Sequence, residues 1–315
     1  SSAKRSTNWR ASSACNPLSA GAAPGAPDNF VASRYAEGQP YHHENNKMPE
    51  QTVSFIKGRH GDIAVHDWGN DQPRYLALLI HGYGEHLGRY QYVARTLQAQ
   101  GARVFGPDHL GHGLSQGERV LIEDYDAVVD DVQRVVSHFR QQYPTLPLVV
   151  IGHSMGGMIA TRYVQRYGEE VRALVLSGPL LGDRTAISDL AELPTIPDAP
   201  LDTATLARDP AVGAAYQEDP LVWHGPFKRP TLRAMQRILA AINAGPGFGA
   251  LPTLWIHGND DRLVLMSETQ TALDRLRGDD FERMINAGGR HESFNETNKD
   301  RILKRVTDFI ARALG

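Results

Sequence analysis

The stretch that most constrains this chain is Gly152-His153-Ser154-Met155-Gly156, a G-x-S-x-G pentapeptide. It follows an apolar run at 147–151, which predicts a buried strand, and precedes apolar residues at every fourth position, which predict a helix. A strand that turns sharply into a helix strains its corner residue, and the flanking glycines remove side chains that would collide there. Ser154 could also be a plain helix N-cap, but the strand and helix around it favour a nucleophile at the carboxyl edge of a sheet.

Composition narrows the classes of function. The 315 residues are long enough to bury a large core in one α/β domain, and a net charge of −3 gives no electrostatic reason to expect a nucleic-acid partner. The single cysteine, Cys15, excludes an intrachain disulfide. The longest apolar runs, such as 76–80, are too short for a transmembrane helix.

Residues 1–47 differ from the rest of the chain. They are rich in Ser, Ala, Gly, Pro and Asn without apolar periodicity, so we expect a flexible N-terminal extension. The part from Lys4 to Arg10 is basic and poor in acids, like a targeting segment, but no long apolar core follows it. A translation start at Met48 is equally consistent with the pattern. The expected localisation is therefore cytoplasmic or peripheral at a membrane, with targeting by 1–47 left open.

From Thr52 onward, strand and helix signals alternate. The later apolar runs are continuous, as expected when helices cover both faces of a parallel sheet. This predicts an α/β fold with a doubly wound, mostly parallel sheet of about eight strands and helices on both of its faces. The predicted strands are 52–56, 63–68, 75–80, 103–105, 148–151, 173–176, 253–256 and 281–285.

Helical patterns lie between these strands, and one long segment lacks strand signals altogether. An insertion of that size must pack as a second core or cover the edge where Ser154 lies, so we interpret residues 182–250 as a cap. The core domain then comprises 48–181 and 251–315. The predicted helices are 90–100, 124–142, 154–167, 231–242 (inside the cap) and 297–314.

A catalytic serine needs a base, a group that orients the base, and donors for the oxyanion. In this topology the chain order should be serine, acid, histidine. Asp260 and Asp261 directly follow the strand at 253–256, and His291 lies on the loop after the next strand. Adjacent aspartates point in different directions, so only one can face the site, and we favour Asp261.

The other histidines fit the role of base less well. His153 is too close in sequence to reach Ser154, and His81, His109, His112 and His257 lie in strand-end turns typical of structural residues. No H-E-x-x-H motif or cluster of Cys and His is present, so we predict neither a metal nor a cofactor.

The oxyanion donors are expected to be backbone N–H groups. One is that of Met155, the residue after the nucleophile. The other should come from the glycine-rich loop after the third strand, His81-Gly82-Tyr83-Gly84, where we select Tyr83.

Residues 50–315 resemble the monoacylglycerol lipase branch of the α/β-hydrolase superfamily, also labelled serine aminopeptidase or lysophospholipase-like hydrolases. Four ordered motifs carry the resemblance: HGYGEHLGRY at 81–90, DHLGHGLSQG at 108–117, GHSMGG at 152–157 and GNDDRLV at 258–264.

The resemblance implies that the acid is Asp261, the aspartate before Arg262. It implies further that Glu85 and Arg89 lie near the alcohol end of the substrate. There they could bind glycerol hydroxyls, or form an ion pair that holds the oxyanion loop. The segment 219–225 is similar to part of the family's cap, which implies that cap residues recognise the acyl chain.

The predicted function is hydrolysis of a small-molecule or lipid ester, above all monoacylglycerol, through an acyl-enzyme. Three alternatives stay open: an esterase or thioesterase for other small or aromatic esters, a lactone hydrolase, and a non-catalytic binding module of the same fold. The cap is a candidate for transient contact with a membrane surface, and the sequence leaves the oligomeric state open.

Overall fold

The computed structural model describes residues 50–315; the extension predicted at 1–47 lies outside the described residues. All eight predicted strands form, with small differences at their ends, and they build a single sheet. The strands are β1 (Thr52–Lys57), β2 (Asp62–Trp68), β3 (Tyr75–Ile80), β4 (Ala102–Pro107), β5 (Leu148–His153), β6 (Val171–Ser177), β7 (Thr253–Gly258) and β8 (Phe281–Asn286).

The sheet has the order β1-β2-β4-β3-β5-β6-β7-β8. β2 pairs antiparallel with both β1 and β4, and every later pairing is parallel. The carboxyl ends of β3 and β5 to β8 therefore meet at one edge, which is where an α/β sheet positions its ligands. β3, β5 and β7 are buried along their whole length, which explains their continuous apolar sequence.

The helices include every one predicted from periodicity and two others, α4 and α6. α1 and α7 cover one face of the sheet, and α2, α3, α5 and α6 contribute to the core on the other. The helices are α1 (Gln91–Ala99), α2 (Tyr125–Gln142), α3 (Met155–Tyr167), α4 (Pro210–Glu218), α5 (Arg229–Ala244), α6 (Met266–Leu276) and α7 (Lys299–Leu314).

The segment interpreted as a cap, 182–250, contains no strand and holds α4 and α5. α5 buries Leu232 and Met235 in the large core cluster, and its Thr231 hydroxyl donates to the Val120 carbonyl at 2.8 Å. This part of the segment is therefore packed on the core, while its limits as a separate unit stay a prediction. Within residues 50–315, every helix is too short or too polar to span a bilayer.

Candidate active site

Ser154 lies at the corner between β5 and α3, with φ 55° and ψ −121°. A non-glycine residue in this region is strained, as the G-x-S-x-G sequence predicts. The strain is held by close packing: a Cβ on Gly156 would lie 2.0 Å from the carbonyl oxygen of Ile80, and one on Gly152 would lie 2.4 Å from that of Gly156. The elbow can therefore form only with glycine at both positions.

Asp261 follows β7 and is buried. Its Oδ1 accepts the backbone N–H groups of Leu263 and Val264, each at 2.9 Å, and its Oδ2 lies 2.8 Å from Nδ1 of His291. Asp260 instead points outward and pairs with the exposed Arg262. The structure thus brings Asp261, and not its neighbour, to the histidine.

His291 lies beside the elbow. Its ring centroid is 4.7 Å from that of His153, the residue before Ser154. His291 also lies close to Gly178, since a Cβ on that glycine would be 3.4 Å from His291 Nδ1. The residue before Gly178 is Ser177, and its carbonyl accepts the backbone N–H of Ser154 at 3.0 Å. Because Nδ1 is engaged by Asp261, Nε2 is the nitrogen left to act as a base.

The charges of this pair are coupled. Burial by itself would raise the pKa of Asp261, but His291 and His257 hold that pKa well below its usual value. For His291 burial acts in the opposite direction and would lower the pKa, but the Asp261 carboxylate outweighs the effect of burial and raises the pKa above the ordinary value of 6.5. Asp261 is therefore ionised and strengthens the basicity of the imidazole.

The loop predicted to form the oxyanion hole lies against the nucleophile, since a Cβ on Gly82 would be 3.2 Å from the Cβ of Ser154. The Gly82 N–H is occupied by Glu85 Oε1 at 2.8 Å, whereas the Tyr83 N–H has no acceptor among residues 50–315. Met155 is the first residue of α3, where backbone N–H groups lack intrahelical acceptors. Both predicted donors therefore have N–H groups without an acceptor in the described part of the chain, and their role in an oxyanion hole stays a prediction.

The sequence profile of the family described as "Serine aminopeptidase, S33" matches residues 71–298. The chain belongs to this family. That result agrees with the elbow and the Asp261–His291 pair, and it confirms the branch of the α/β-hydrolase superfamily indicated by the four sequence motifs.

Two curated relatives of this S33 protein are similar over most of its length. The monoacylglycerol lipase of Mycolicibacterium smegmatis is 37% identical over 78% of this chain and 92% of the relative. The monoglyceride lipase of Homo sapiens is 32% identical over 70% of this chain and 76% of the relative. Among solved structures, a soluble variant of monoglyceride lipase from Saccharomyces cerevisiae has a TM-score of 0.73 at 21% identity, covering 87% of this chain and 98% of the other, which confirms the fold.

In this S33 protein, the partly buried Arg89 pairs with the buried Glu85 and also binds both carboxylate oxygens of Glu292 at 2.8 Å. Glu85 Oε1 additionally accepts the Tyr90 hydroxyl at 2.7 Å. Burial would raise the pKa of Glu292, but Arg89 lowers it to about 2. These contacts favour the positioning interpretation of Glu85 and Arg89, because their polar atoms are already occupied.

Glu292 was not predicted from the sequence. The signal was an acid directly after the proposed base, in the hexapeptide His291-Glu292-Ser293-Phe294-Asn295-Glu296. Its partner, Arg89, lies far away in the chain, so nothing local indicated the pair.

The segment interpreted as a cap touches the oxyanion loop. The backbone N–H of Trp223 donates to the Gly84 carbonyl at 2.8 Å, and Oδ2 of Asp219 lies 2.8 Å from Nε2 of His86. The Tyr83 ring stacks on Phe227, with centroids 4.4 Å apart. The bulky Tyr83 side chain thus faces the segment interpreted as a cap.

The same segment is bonded to the loop of the proposed base. The N–H groups of His291 and Glu292 donate to the carbonyls of Thr205 and Leu206, at 3.3 and 2.7 Å. Arg208 pairs at 2.8 Å with the buried carboxylate of Glu296, which also accepts the Arg290 N–H. The stretch 204–208 is named the strap below.

Proposed function

We propose that the protein is a serine ester hydrolase whose substrate is monoacylglycerol, with Ser154, His291 and Asp261 as its catalytic triad. The observation that carries the proposal is the buried Asp261–His291 hydrogen bond beside the strained Ser154 elbow. The 37% identity with a monoacylglycerol lipase supports the substrate class.

The first half of the reaction forms the acyl-enzyme. His291 Nε2 removes the proton of Ser154 as Oγ attacks the ester carbonyl, and the carbonyl oxygen becomes an oxyanion. The N–H groups of Tyr83 and Met155 stabilise that charge, each by about 3 kcal/mol. When the tetrahedral intermediate collapses, the C–O bond to glycerol breaks and His291 returns the proton to the leaving glycerol oxygen.

The second half repeats these steps with water. His291 removes a proton from water, the resulting hydroxide attacks the acyl carbon, and Ser154 leaves with the proton that His291 returns to it. The products are a fatty acid and free enzyme. Asp261 keeps the imidazole in one tautomer throughout and stabilises its charged form.

Fluorophosphonate labelling combined with a substrate panel tests the proposal. Wild type should be labelled and should hydrolyse monoacylglycerol faster than di- and triacylglycerol or p-nitrophenyl esters of matched chain length. Ser154→Ala should lose both properties and keep the fold. Ser137→Ala, a change on the exposed face of α2, is the control that should keep both.

Each other outcome has a definite meaning. Full activity of Ser154→Ala would refute the triad. A preference for short aromatic esters or thioesters would replace the substrate class and leave the triad in place.

We also propose that the cap meets the lipid surface that holds the substrate. The proposal continues the expectation drawn from the sequence, and Leu193, 39% of which is exposed within the cap, is the side chain used to test it. Co-sedimentation with phosphatidylcholine vesicles should decrease in Leu193→Asp; unchanged sedimentation would rule out this contact.

A further inference from the structure

Trp255 and His257 lie two residues apart on β7, so their side chains share one face of the strand, and both are fully buried. The indole Nε1 of Trp255 lies 3.1 Å from Nδ1 of His257. An indole nitrogen can only donate a hydrogen bond, so Nδ1 of His257 must be the acceptor and carry no proton.

The tautomer of His257 follows from that contact. A neutral imidazole with an unprotonated Nδ1 carries its proton on Nε2. Nε2 lies 2.9 Å from the Val264 carbonyl and 3.3 Å from Oδ2 of Asp261. His257 therefore directs one N–H toward two acceptors, a carbonyl and the carboxylate of the proposed triad.

With this contact, donors surround the Asp261 carboxylate. Oδ1 receives the N–H groups of Leu263 and Val264, and Oδ2 faces His291 and His257. His257 also fixes the Val264 carbonyl, which belongs to the same turn that supplies the Oδ1 donors. Rotation of the carboxylate away from His291 would break contacts on both oxygens.

We propose that His257 is a positioning residue of the triad, whose Nε2–H locks the Asp261 carboxylate and the 261–264 turn in the orientation that His291 requires. The proposal rests on the triad assignment made above and goes beyond it, because His257 touches neither substrate nor nucleophile in that mechanism.

His257→Phe tests the role, since it keeps a flat ring and removes the donor. We expect kcat to fall about tenfold, the rate equivalent of one hydrogen bond of about 1.4 kcal/mol, with KM unchanged. The acid limb of the kcat/KM profile should move to lower pH, because a carboxylate that is no longer held in place raises the pKa of His291 less. The charged or titratable groups that face His291 besides Asp261 are Glu292, Glu85 and His153, and all three are unchanged in this variant.

Two further variants separate positioning from stability. His257→Gln retains a side-chain N–H donor and should recover most of the lost kcat. Thr253→Val removes a buried hydroxyl that donates to the Leu251 carbonyl at the other end of β7, so it should lower stability alone. If His257→Phe does not fold, His257→Met, which also lacks the donor, takes its place.

The proposal is overturned if the donor-free variant matches wild type in kcat and pH profile, or if His257→Gln loses as much kcat as His257→Phe. A readout without turnover is the proton NMR signal of the hydrogen-bonded His291 Nδ1–H. If wild type has no esterase activity, the proposed function fails, yet a changed titration of this signal in His257→Phe still supports the positioning role. An unchanged titration contradicts it.

Discussion

Arg89 donates through both terminal guanidinium nitrogens to the two carboxylate oxygens of Glu292, each at 2.8 Å, and Glu292 is the chain neighbour of His291. The same guanidinium binds Glu85, which holds the Gly82 N–H of the oxyanion loop. One cation, with only 11% of its side chain exposed, thereby joins the loop of the proposed base to the loop of the proposed oxyanion donor. Removing the cation would leave two buried carboxylates facing each other.

Arg89→Met is therefore expected to lower the free energy of unfolding by about 3 to 5 kcal/mol, as for other buried ion pairs that lose one partner. Urea denaturation measures the change. Lys304→Met, which breaks an exposed pair with Asp308, is the control and should cost less than about 0.5 kcal/mol. If the free energy of unfolding fell equally in the two variants, the stabilising role assigned to the Arg89 ion pairs would be contradicted.

The two adjacent aspartates should respond differently to the same substitution. Asp261→Asn keeps the shape of the side chain but favours the wrong imidazole tautomer, so kcat should fall about 10⁴-fold. Asp260→Asn alters an exposed residue paired with Arg262 and should leave kcat unchanged. Esterase kinetics of both proteins decide the assignment, which is reversed if Asp260→Asn is the inactive one.

Activity should rise with pH through a midpoint above 6.5. The base must be neutral to accept the serine proton, and although burial lowers the pKa of His291, the Asp261 carboxylate raises it above that value overall. Glu292→Gln removes a second negative charge near the imidazole and should move the acid limb of kcat/KM to lower pH. The exposed variant Asp260→Asn should not move it. A wild-type midpoint below 6.5 is incompatible with this view.

Stability should decrease as pH falls from 6.5 toward 4. Burial lowers the pKa of His109 to about 3 and those of His112 and His153 to about 4. The unfolded chain therefore binds protons below pH 6.5 that the folded protein does not, at a cost of about 1.4 kcal/mol per histidine and pH unit.

Urea midpoints at pH 7.5 and 5 check this dependence. His112→Gln retains a donor for the Leu110 carbonyl that His112 faces at 3.0 Å, and it should reduce the difference between the two midpoints. His60→Gln, an exposed change, should not. If both variants behave alike, the buried histidines are not the cause.

The sheet and the Asp261–His291 pair could be predicted because their signals are local. A continuous apolar run predicts a buried strand, and a parallel sheet brings the residues that follow each strand to one edge. Strand order alone therefore predicted that Ser154, Asp261 and His291 lie at the same edge of the sheet. The alternation of side-chain directions allowed only one of Asp260 and Asp261 to face the site, the family resemblance pointed to Asp261, and the structure pairs Asp261 with His291.

What could not be predicted depends on weak or distant signals. α6 was not predicted because its buried positions include the polar Thr269 and the small Ala272, so its apolar stripe has few large side chains. The Arg89–Glu292 pair and the strap join parts of the chain that only the tertiary fold brings together. The tautomer of His257 likewise depends on the indole of Trp255, a contact that no spacing rule identifies.

The strap has a consequence for how a substrate enters. Carbonyl groups of Thr205 and Leu206 accept the backbone N–H groups of His291 and Glu292. An outward movement of the strap would therefore pull His291 away from Ser154, whose hydroxyl it must activate. If residues 182–250 move to admit a substrate, only a movement away from the strap leaves His291 in position for catalysis.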